Sequence, residues 1–277
     1  MRIILILWLG IGCQFLHLKA QNTKADYTIH YQFQWITNAT ERTYSAPEEY
    51  LLYRANNESR FLNSDAYHND SIQHLFQETY KRDFDTHEAR NEYMQASVSK
   101  MKRLTSELRG VKDFKTKNRQ IVLYGTWNRH YLQEPFSLKW KTIPGVDTIA
   151  GLPCYKATTQ HGGRHYTAWY TPKIPISDGP YIFHGLPGLI TKITDAEAMY
   201  LFELIHYTIK PDRNFYNVPF ITQDYPQQVD RDTYVTNSKK EKESPTFPHL
   251  RSMLSPEQLL RLKNKRKTRF DLLIEKN

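Results

Sequence analysis

Four residues in the second half of the chain have side chains that could carry chemistry: Cys154, His161, His165 and His184. A cysteine beside a histidine can act as a nucleophile with its general base. Thiolate and neutral imidazole are also the ligands that soft metal ions prefer in proteins. The sequence therefore raises two chemical hypotheses for this region, a Cys/His hydrolase and a histidine-based site for a soft metal.

The spacing of these residues argues against a shared site. Gly162-Gly163 separates two strand-like runs and predicts a two-residue hairpin turn. His161 and His165 would then point to opposite faces, because side chains alternate along a strand. Cys154 lies six residues along the strand from Gln160, the expected partner of His165, which is roughly 20 Å. We therefore predict no metal site and no cofactor, and we interpret Cys154 as a small buried residue.

The familiar catalytic motifs are incomplete or missing. The stretch His87-Glu88-Ala89-Arg90-Asn91 lacks the second histidine of the zinc-protease motif H-E-x-x-H. The sequence also contains no G-x-S-x-G elbow, no P-loop and no dinucleotide-binding glycine motif. We therefore predict no catalytic residues, and two alternatives stay open: a hydrolase with unrecognised site residues and a soft-metal-handling protein that uses other histidines.

Strand patterns dominate the chain up to residue 210. Aromatic and aliphatic residues alternate with polar ones over 27–35, which predicts a strand with one buried face. Residues 147–209 predict two further strand pairs, and the last strand, 198–210, is apolar on both faces and should be central and covered on both sides. Leu186-Pro187-Gly188-Leu189 predicts a type II turn. The fold class predicted is mainly β: an antiparallel meander or hairpin sheet, open or partly closed, with one or two docked helices and a C-terminal helix.

Three segments differ from this strand pattern. A helical periodicity over about 71–110, ending at Gly110, predicts a helical insert in a β domain of residues 21–210. Residues 211–250 are rich in proline and charge and predict a linker. Residues 251–277 predict a basic C-terminal helix, which could make peripheral contact with an anionic membrane.

The amino terminus predicts export. Residues 1–20 combine Arg2, an apolar run and a cleavage site after Ala20, as in a signal peptide; lipidation of Cys13 is the alternative. Removal of this segment takes away Arg2 and Lys19, so that the formal net charge falls from +9 to +7, and leaves Cys154 as the sole cysteine. We expect a secreted protein of the periplasm or cell envelope, a location in which nucleic acid is not the partner.

An ordered series of short motifs resembles the GLPGLI family, secreted proteins of Bacteroidetes-type bacteria. The resemblance covers roughly residues 26–209 and rests on Gly151–Thr159, Gly163-Arg164, Ala168–Thr171, Ile174-Pro175, Gly179-Pro180 and the unbroken hexapeptide Gly185-Leu186-Pro187-Gly188-Leu189-Ile190. The resemblance implies a location in the cell envelope and a fold class. It implies no activity and no catalytic residues.

These observations favour an accessory protein of the cell envelope that binds a partner protein, a peptide or an apolar ligand against its sheet. We interpret the hexapeptide 185–190 as a structural corner. The candidate binding residues in the surrounding strands are Arg164, Trp169, Tyr170 and Cys154.

Overall fold

The computed structural model describes residues 25–38, 40–80, 86–102, 108–124, 129–211, 227–236 and 255–257. Its strands are β1 (Tyr27–Asn38), β2 (Thr43–Tyr44), β3 (Glu48–Ala55), β4 (Glu58–Asn63), β5 (Arg109–Asp113), β6 (Asn118–Tyr124), β7 (Arg129–Pro135), β8 (Lys141–Ile149), β9 (Leu152–His161), β10 (Arg164–Thr171), β11 (Leu189–Asp195), β12 (Tyr200–Ile209) and β13 (Gln227–Val229). Its helices are α1 (Ser64–Tyr80) and α2 (His87–Ser99), and a short helix spans residues 231–236.

The strands form one large open sheet. Their order is β13-β7-β6-β5-β4-β3-β1-β12-β11-β10-β9-β8, with β2 paired to β1. Neighbouring strands are antiparallel, except that β13 runs parallel to β7. The predicted fold class is therefore confirmed: the protein is mainly β, with an antiparallel sheet that does not close and few helices.

The first strand follows the predicted alternation. Ile29, Tyr31 and Phe33 are buried, whereas Gln32 and Gln34 are half-buried. β1 pairs with both β3 and β12, so the amino-terminal strand lies in the middle of the sheet. Its inner face is thereby placed at the centre of the main hydrophobic core.

The hairpin between β9 and β10 lies where the sequence places it. His161 pairs with Arg164, and the two glycines between them, Gly162 and Gly163, have φ angles of 55° and 71°. Two successive positive φ angles are typical of the type I′ turn, whose twist matches that of the flanking strands. Pairing through this turn fixes the register of both strands.

The stretch 172–188, here called the crossing segment, runs over the inner face of the sheet. Lys112 on β5 donates from Nζ to the carbonyl oxygens of Gly179 at 2.5 Å and Phe183 at 3.2 Å. Directly after the segment, the carbonyl oxygen of Ile190 accepts from Tyr31 Oη at 2.7 Å. The apolar side chains of the segment belong to the same core as the inner faces of the strands. The crossing segment is therefore part of the core.

The hexapeptide forms a tighter bend than the predicted type II turn. The amide of Leu189 donates to Ile174 O at 3.1 Å, and the amide of Gly188 donates to Leu186 O at 2.8 Å. A type II turn would instead join Leu186 O to the amide of Leu189. The predicted turn type is therefore wrong, because the amide of Leu189, at the end of the turn, bonds to Ile174 instead of Leu186. The need for glycine remains, since Gly188 has a φ of 143°.

The two helices lie near β3 and β4. Tyr67 of α1 packs against a second apolar cluster made of Ala25, Leu51, Tyr53, Ala55 and Leu62. Asn63 Oδ1 accepts from the amides of Asp65 and Ala66 and caps α1. The helical insert begins and ends earlier than predicted, because α2 stops at Ser99 and Gly110 lies inside β5.

β12 is central, but the described residues do not cover it on both sides as the sequence predicts. Tyr200, Phe202 and Leu204 are buried in the core, whereas Ile205 is 46% exposed. The paired strands β1 and β11 cover its edges, and the crossing segment covers only the inner side of the sheet. In the part of the chain that the structure describes, the outward-facing apolar residues of β12 are therefore not matched by a second layer above this strand.

Several predicted segments fall partly or wholly outside the described residues. Residues 1–20 with Cys13 lie outside them, and so does most of 251–277, of which a helix start at Pro256 directly after Ser255 is described. Within the predicted linker 211–250, residues 227–236 pack on the sheet as β13 and a short helix. In the described part of the chain, no helix combines the length and apolar character needed to cross a membrane.

Candidate ligand-binding recess

The four candidate binding residues from the sequence do not meet in one site. Arg164 is buried and forms an ion pair with Asp195, with 2.9 Å between Nη1 and Oδ2. Tyr170 is a core residue. Trp169 is half-buried, with Lys156 Nζ at 5.5 Å from the centre of its ring. These contacts show that the three side chains help to pack the hairpin against its surroundings.

Cys154 is fully buried and hydrogen-bonds Thr191 Oγ1 at 3.2 Å and the carbonyl oxygen of Leu152 at 3.3 Å. Burial raises the pKa of its thiol, and this effect is larger than the opposing effect of the hydrogen bond with Thr191. A buried thiol without an acid–base partner is inert. The contacts of Cys154 therefore do not support the Cys/His nucleophile pair.

The three histidines lie in different surroundings. His165 is exposed and His161 is half-buried, on the other face of the hairpin. The ring of His184 packs on Phe136, with 3.8 Å between ring centres. Burial and then the charge of Lys112 lower the pKa of His184 to about 3, so its imidazole is neutral at physiological pH. Among the described residues, no group of three or more potential metal ligands lies together.

The sheet curves so strongly that its two ends face each other. β6 and β9 are far apart in the strand order, yet Arg119 Nη2 of β6 lies 2.8 Å from His161 Nε2 of β9. Burial, and then Arg119, lower the pKa of His161 to about 4. The imidazole is therefore neutral and can accept a hydrogen bond from the guanidinium.

A small recess lies inside this curve, between the two ends of the sheet. Its lining is aromatic and aliphatic except for one arginine: Ile121, Leu132, Tyr166, Tyr181, Ile182, Phe183, Tyr200, Arg231, Tyr234 and Val235. The residues come from β6, β7, β10, β12, the crossing segment and the segment 227–236. Such a lining, with few polar groups, is typical of pockets that bind apolar molecules.

Residues 227–236, here called the strap, form one wall of the recess. Only three of these residues, Gln227–Val229, pair with β7. Side-chain contacts add to this pairing: Tyr131 Oη donates to Gln228 Oε1 at 3.0 Å, Arg231 forms an ion pair with Glu134, and Tyr234 packs against the main core. The backbone ladder of the strap is therefore short, whereas the other walls belong to longer strands or to the anchored crossing segment.

The tyrosine hydroxyls of the recess are paired with each other. Tyr166 bonds to Tyr200, and Tyr181 bonds to Tyr234. Burial raises the pKa of all four phenols, that of Tyr234 to about 12. The hydroxyls therefore stay protonated, and they are suited to hydrogen bonding rather than to proton transfer at neutral pH.

A charged cluster lies beside the recess. Glu134 accepts from Nε and Nη2 of Arg119 and from Nη2 of Arg231. Burial opposes ionisation of Glu134, but the two arginines outweigh it and hold the pKa of the carboxyl below its usual value. With His161 neutral, two guanidinium groups face one carboxylate, so the cluster carries a net charge of about +1.

Sequence reasoning missed this cluster. Its members, Arg119, Glu134 and Arg231, lie in three separate segments. Within its own segment, each of them looks like an ordinary polar residue. One signal was present: Arg119 and Ile121 are two residues apart on β6, which puts both on one face of the strand. An arginine on the apolar face of a strand marks a buried charge that needs partners.

Comparison with known proteins relates part of the chain to a family and the fold to solved structures. Residues 66–192 match the model of a Bacteroidetes-associated family described as "Protein of unknown function (Porph_ging)". This match includes the hexapeptide, while the name GLPGLI rests on the resemblance of the motifs alone. No curated protein sequence gives a significant match.

Two solved structures of PNGF-II, in different crystal forms, match with TM-scores of 0.50 and 0.49 at 14% sequence identity. The alignments cover 80% of this chain but only 35% and 34% of PNGF-II, so the chain spans about a third of that protein. At this identity the likeness concerns the fold alone. A complex of MucB with MucA(peri) matches at a TM-score of 0.33 and 8% identity, over 73% of this chain and 56% of MucB.

Proposed function

We propose that this chain is an exported, non-catalytic binding protein of the cell envelope that takes an apolar molecule into the recess. One observation carries the proposal: an aromatic and aliphatic lining, drawn from both ends of the curved sheet, is closed on one side by the strap, whose backbone pairs with the sheet through three residues. The signal-peptide pattern of residues 1–20 supports the location.

The size of the recess indicates how a ligand would enter. Its free space is about 30 Å³, which holds roughly two water molecules. A larger ligand must displace part of the lining, and the strap is a wall whose backbone pairs with the sheet over only three residues. Binding therefore couples to movement of the strap, and Tyr234 and Val235 give up their places in the recess to the ligand.

A reversible lock tests this proposal. Tyr131 and Gln228 are register partners on β7 and β13, so the double substitution Tyr131→Cys/Gln228→Cys should allow a disulfide between strap and sheet. Nile red serves as a neutral apolar probe. We expect the oxidised variant to bind it at least tenfold more weakly than the wild type, and reduction to restore binding. The buried thiol of Cys154 does not interfere.

A second cysteine pair provides the matched control. Lys141→Cys/Thr158→Cys joins register partners on β8 and β9, at the opposite end of the sheet, and its oxidation should leave Nile red affinity unchanged. Equal binding by the oxidised and reduced forms of the strap variant would contradict the proposal. Failure of the wild type to bind Nile red at all would also contradict it.

A further inference from the structure

The buried guanidinium of Arg119 has donors left over. Its side chain is 1% exposed, and Nε and Nη2 are occupied by Glu134 and His161. Nη1 is buried and has no hydrogen-bond partner among the described residues. A buried donor without a partner costs about 1–3 kcal/mol, and more for a charged group. Such a cost at a binding site points to a partner that arrives with the ligand.

Arg119 does not line the recess itself, but it neighbours the recess along β6. Arg119 lies two residues before Ile121, a recess residue on the same face of β6. Burial raises the pKa of the recess tyrosines Tyr166 and Tyr181, and the charge of Arg119 opposes this rise at both. The second arginine of the cluster, Arg231, lines the recess itself.

From this arrangement we infer that the ligand is an apolar molecule with a single carboxylate, whose head group binds Arg119 Nη1 and Arg231 while its apolar part fills the recess. The inference rests on the proposed function and adds the chemical class of the ligand. The net charge of about +1 matches a monoanion, whereas a phosphate monoester carries about −1.5 to −2. Arginine also suits carboxylate recognition by its planar set of donors.

This site also gives the strap a role in binding. Arg231 is on the strap, and its side chain is 40% exposed, whereas Arg119 lies on β6 and its side chain is 1% exposed. A carboxylate between the two guanidinium groups would hold the strap to the sheet, because it adds a second anion beside Glu134. The strap would then be attached more firmly with ligand than without it.

Two probes that differ only in charge test the inference. cis-Parinaric acid is ionised at pH 7.4, and its methyl ester is neutral with the same apolar chain. We expect the wild type to bind the acid at least tenfold more tightly than the ester. In Arg119→Gln this preference should disappear, with ester affinity changed less than twofold. The exposed control Arg42→Gln, which loses a hydrogen bond to the carbonyl oxygen of Glu197, should behave as the wild type.

A second variant keeps the test decisive if Arg119→Gln does not fold. Glu134→Gln removes the competing carboxylate and should increase the preference for the acid. Equal affinity of the wild type for acid and ester would overturn the inference and leave the proposed function standing. Binding of neither probe would instead contradict the proposed function. Tighter binding of dodecyl phosphate than of dodecanoate would show that the charge argument selects the wrong head group.

Discussion

Replacing Gly188 with valine should destabilise the protein by about 3 to 5 kcal/mol, through backbone strain and overpacking together. The φ of 143° is one that β-branched residues resist. A Cβ at this position would also lie 2.2 Å from the carbonyl oxygen of Thr171 and 2.6 Å from its carbon. Both are backbone atoms, so relief requires the crossing segment to move away from the end of β10. Urea denaturation of the purified protein measures the loss.

Gly151→Ala separates the two causes. Gly151 also has a positive φ, 75°, but a Cβ there would meet no atom within 4 Å. We expect this control to lose only about 1 kcal/mol, the cost of an unfavourable backbone conformation alone. If Gly188→Val loses no more stability than Gly151→Ala, the hexapeptide is not a packed corner. A loss of Nile red binding at normal stability would then make it part of a binding site.

The second large effect is expected at the buried ion pair that anchors the crossing segment. Lys112 Nζ lies 2.5 Å from Asp178 Oδ1, and the two side chains are 1% and 0% exposed. Arg54 Nη1 lies 3.4 Å from the other carboxylate oxygen. Asp178→Ala removes the anion and leaves Lys112 buried without a counter-charge, which typically costs about 3–5 kcal/mol. Thermal and urea unfolding should both report this loss.

The half-buried pair Lys192–Glu203 offers a control for Asp178→Ala. Its side chains are 30% and 38% exposed at an Nζ–Oε2 distance of 2.8 Å, so Glu203→Ala should cost less than about 1 kcal/mol. If Asp178→Ala is as mild as Glu203→Ala, then the crossing segment is held by its apolar contacts rather than by this ion pair. The wall formed by Tyr181, Ile182 and Phe183 would then be free to move with the strap.

Local sequence patterns predicted the structure correctly where it depends on residues that are close in the sequence. The alternation of β1 and the Gly162-Gly163 turn each depend on periodicity or on backbone freedom within a few residues. The prediction of a type II turn was wrong because a distant partner matters there. The amide of Leu189 bonds to Ile174, fifteen residues earlier in the chain, and this contact outweighs the local preference for a type II turn. The predicted carboxyl end of the helical insert was also wrong, because Gly110 lies inside a strand and does not end a helix.

The candidate site could not be predicted, because it depends on the curvature of the sheet. Arg119 and His161 come from strands well separated in the sheet order, and their contact exists only because the two ends face each other. Strand periodicity specifies which face a side chain occupies, but it does not specify how far a large open sheet bends. The strap was missed for a different reason. Residues 227–229 lie between stretches rich in proline and charge, and a three-residue strand has no periodic pattern to detect.

The location of a bound ligand tests the central claim most directly. The measurement is photocrosslinking of the purified protein with a diazirine-labelled long-chain fatty acid, followed by mass spectrometric mapping of the labelled peptides. We expect the label on residues 181–183 of the crossing segment and on 231–235 of the strap, with unlabelled fatty acid as an effective competitor. Labelling confined to the exposed surfaces of α1, β8 or β12, or labelling that a competitor does not reduce, would contradict a binding site inside the sheet.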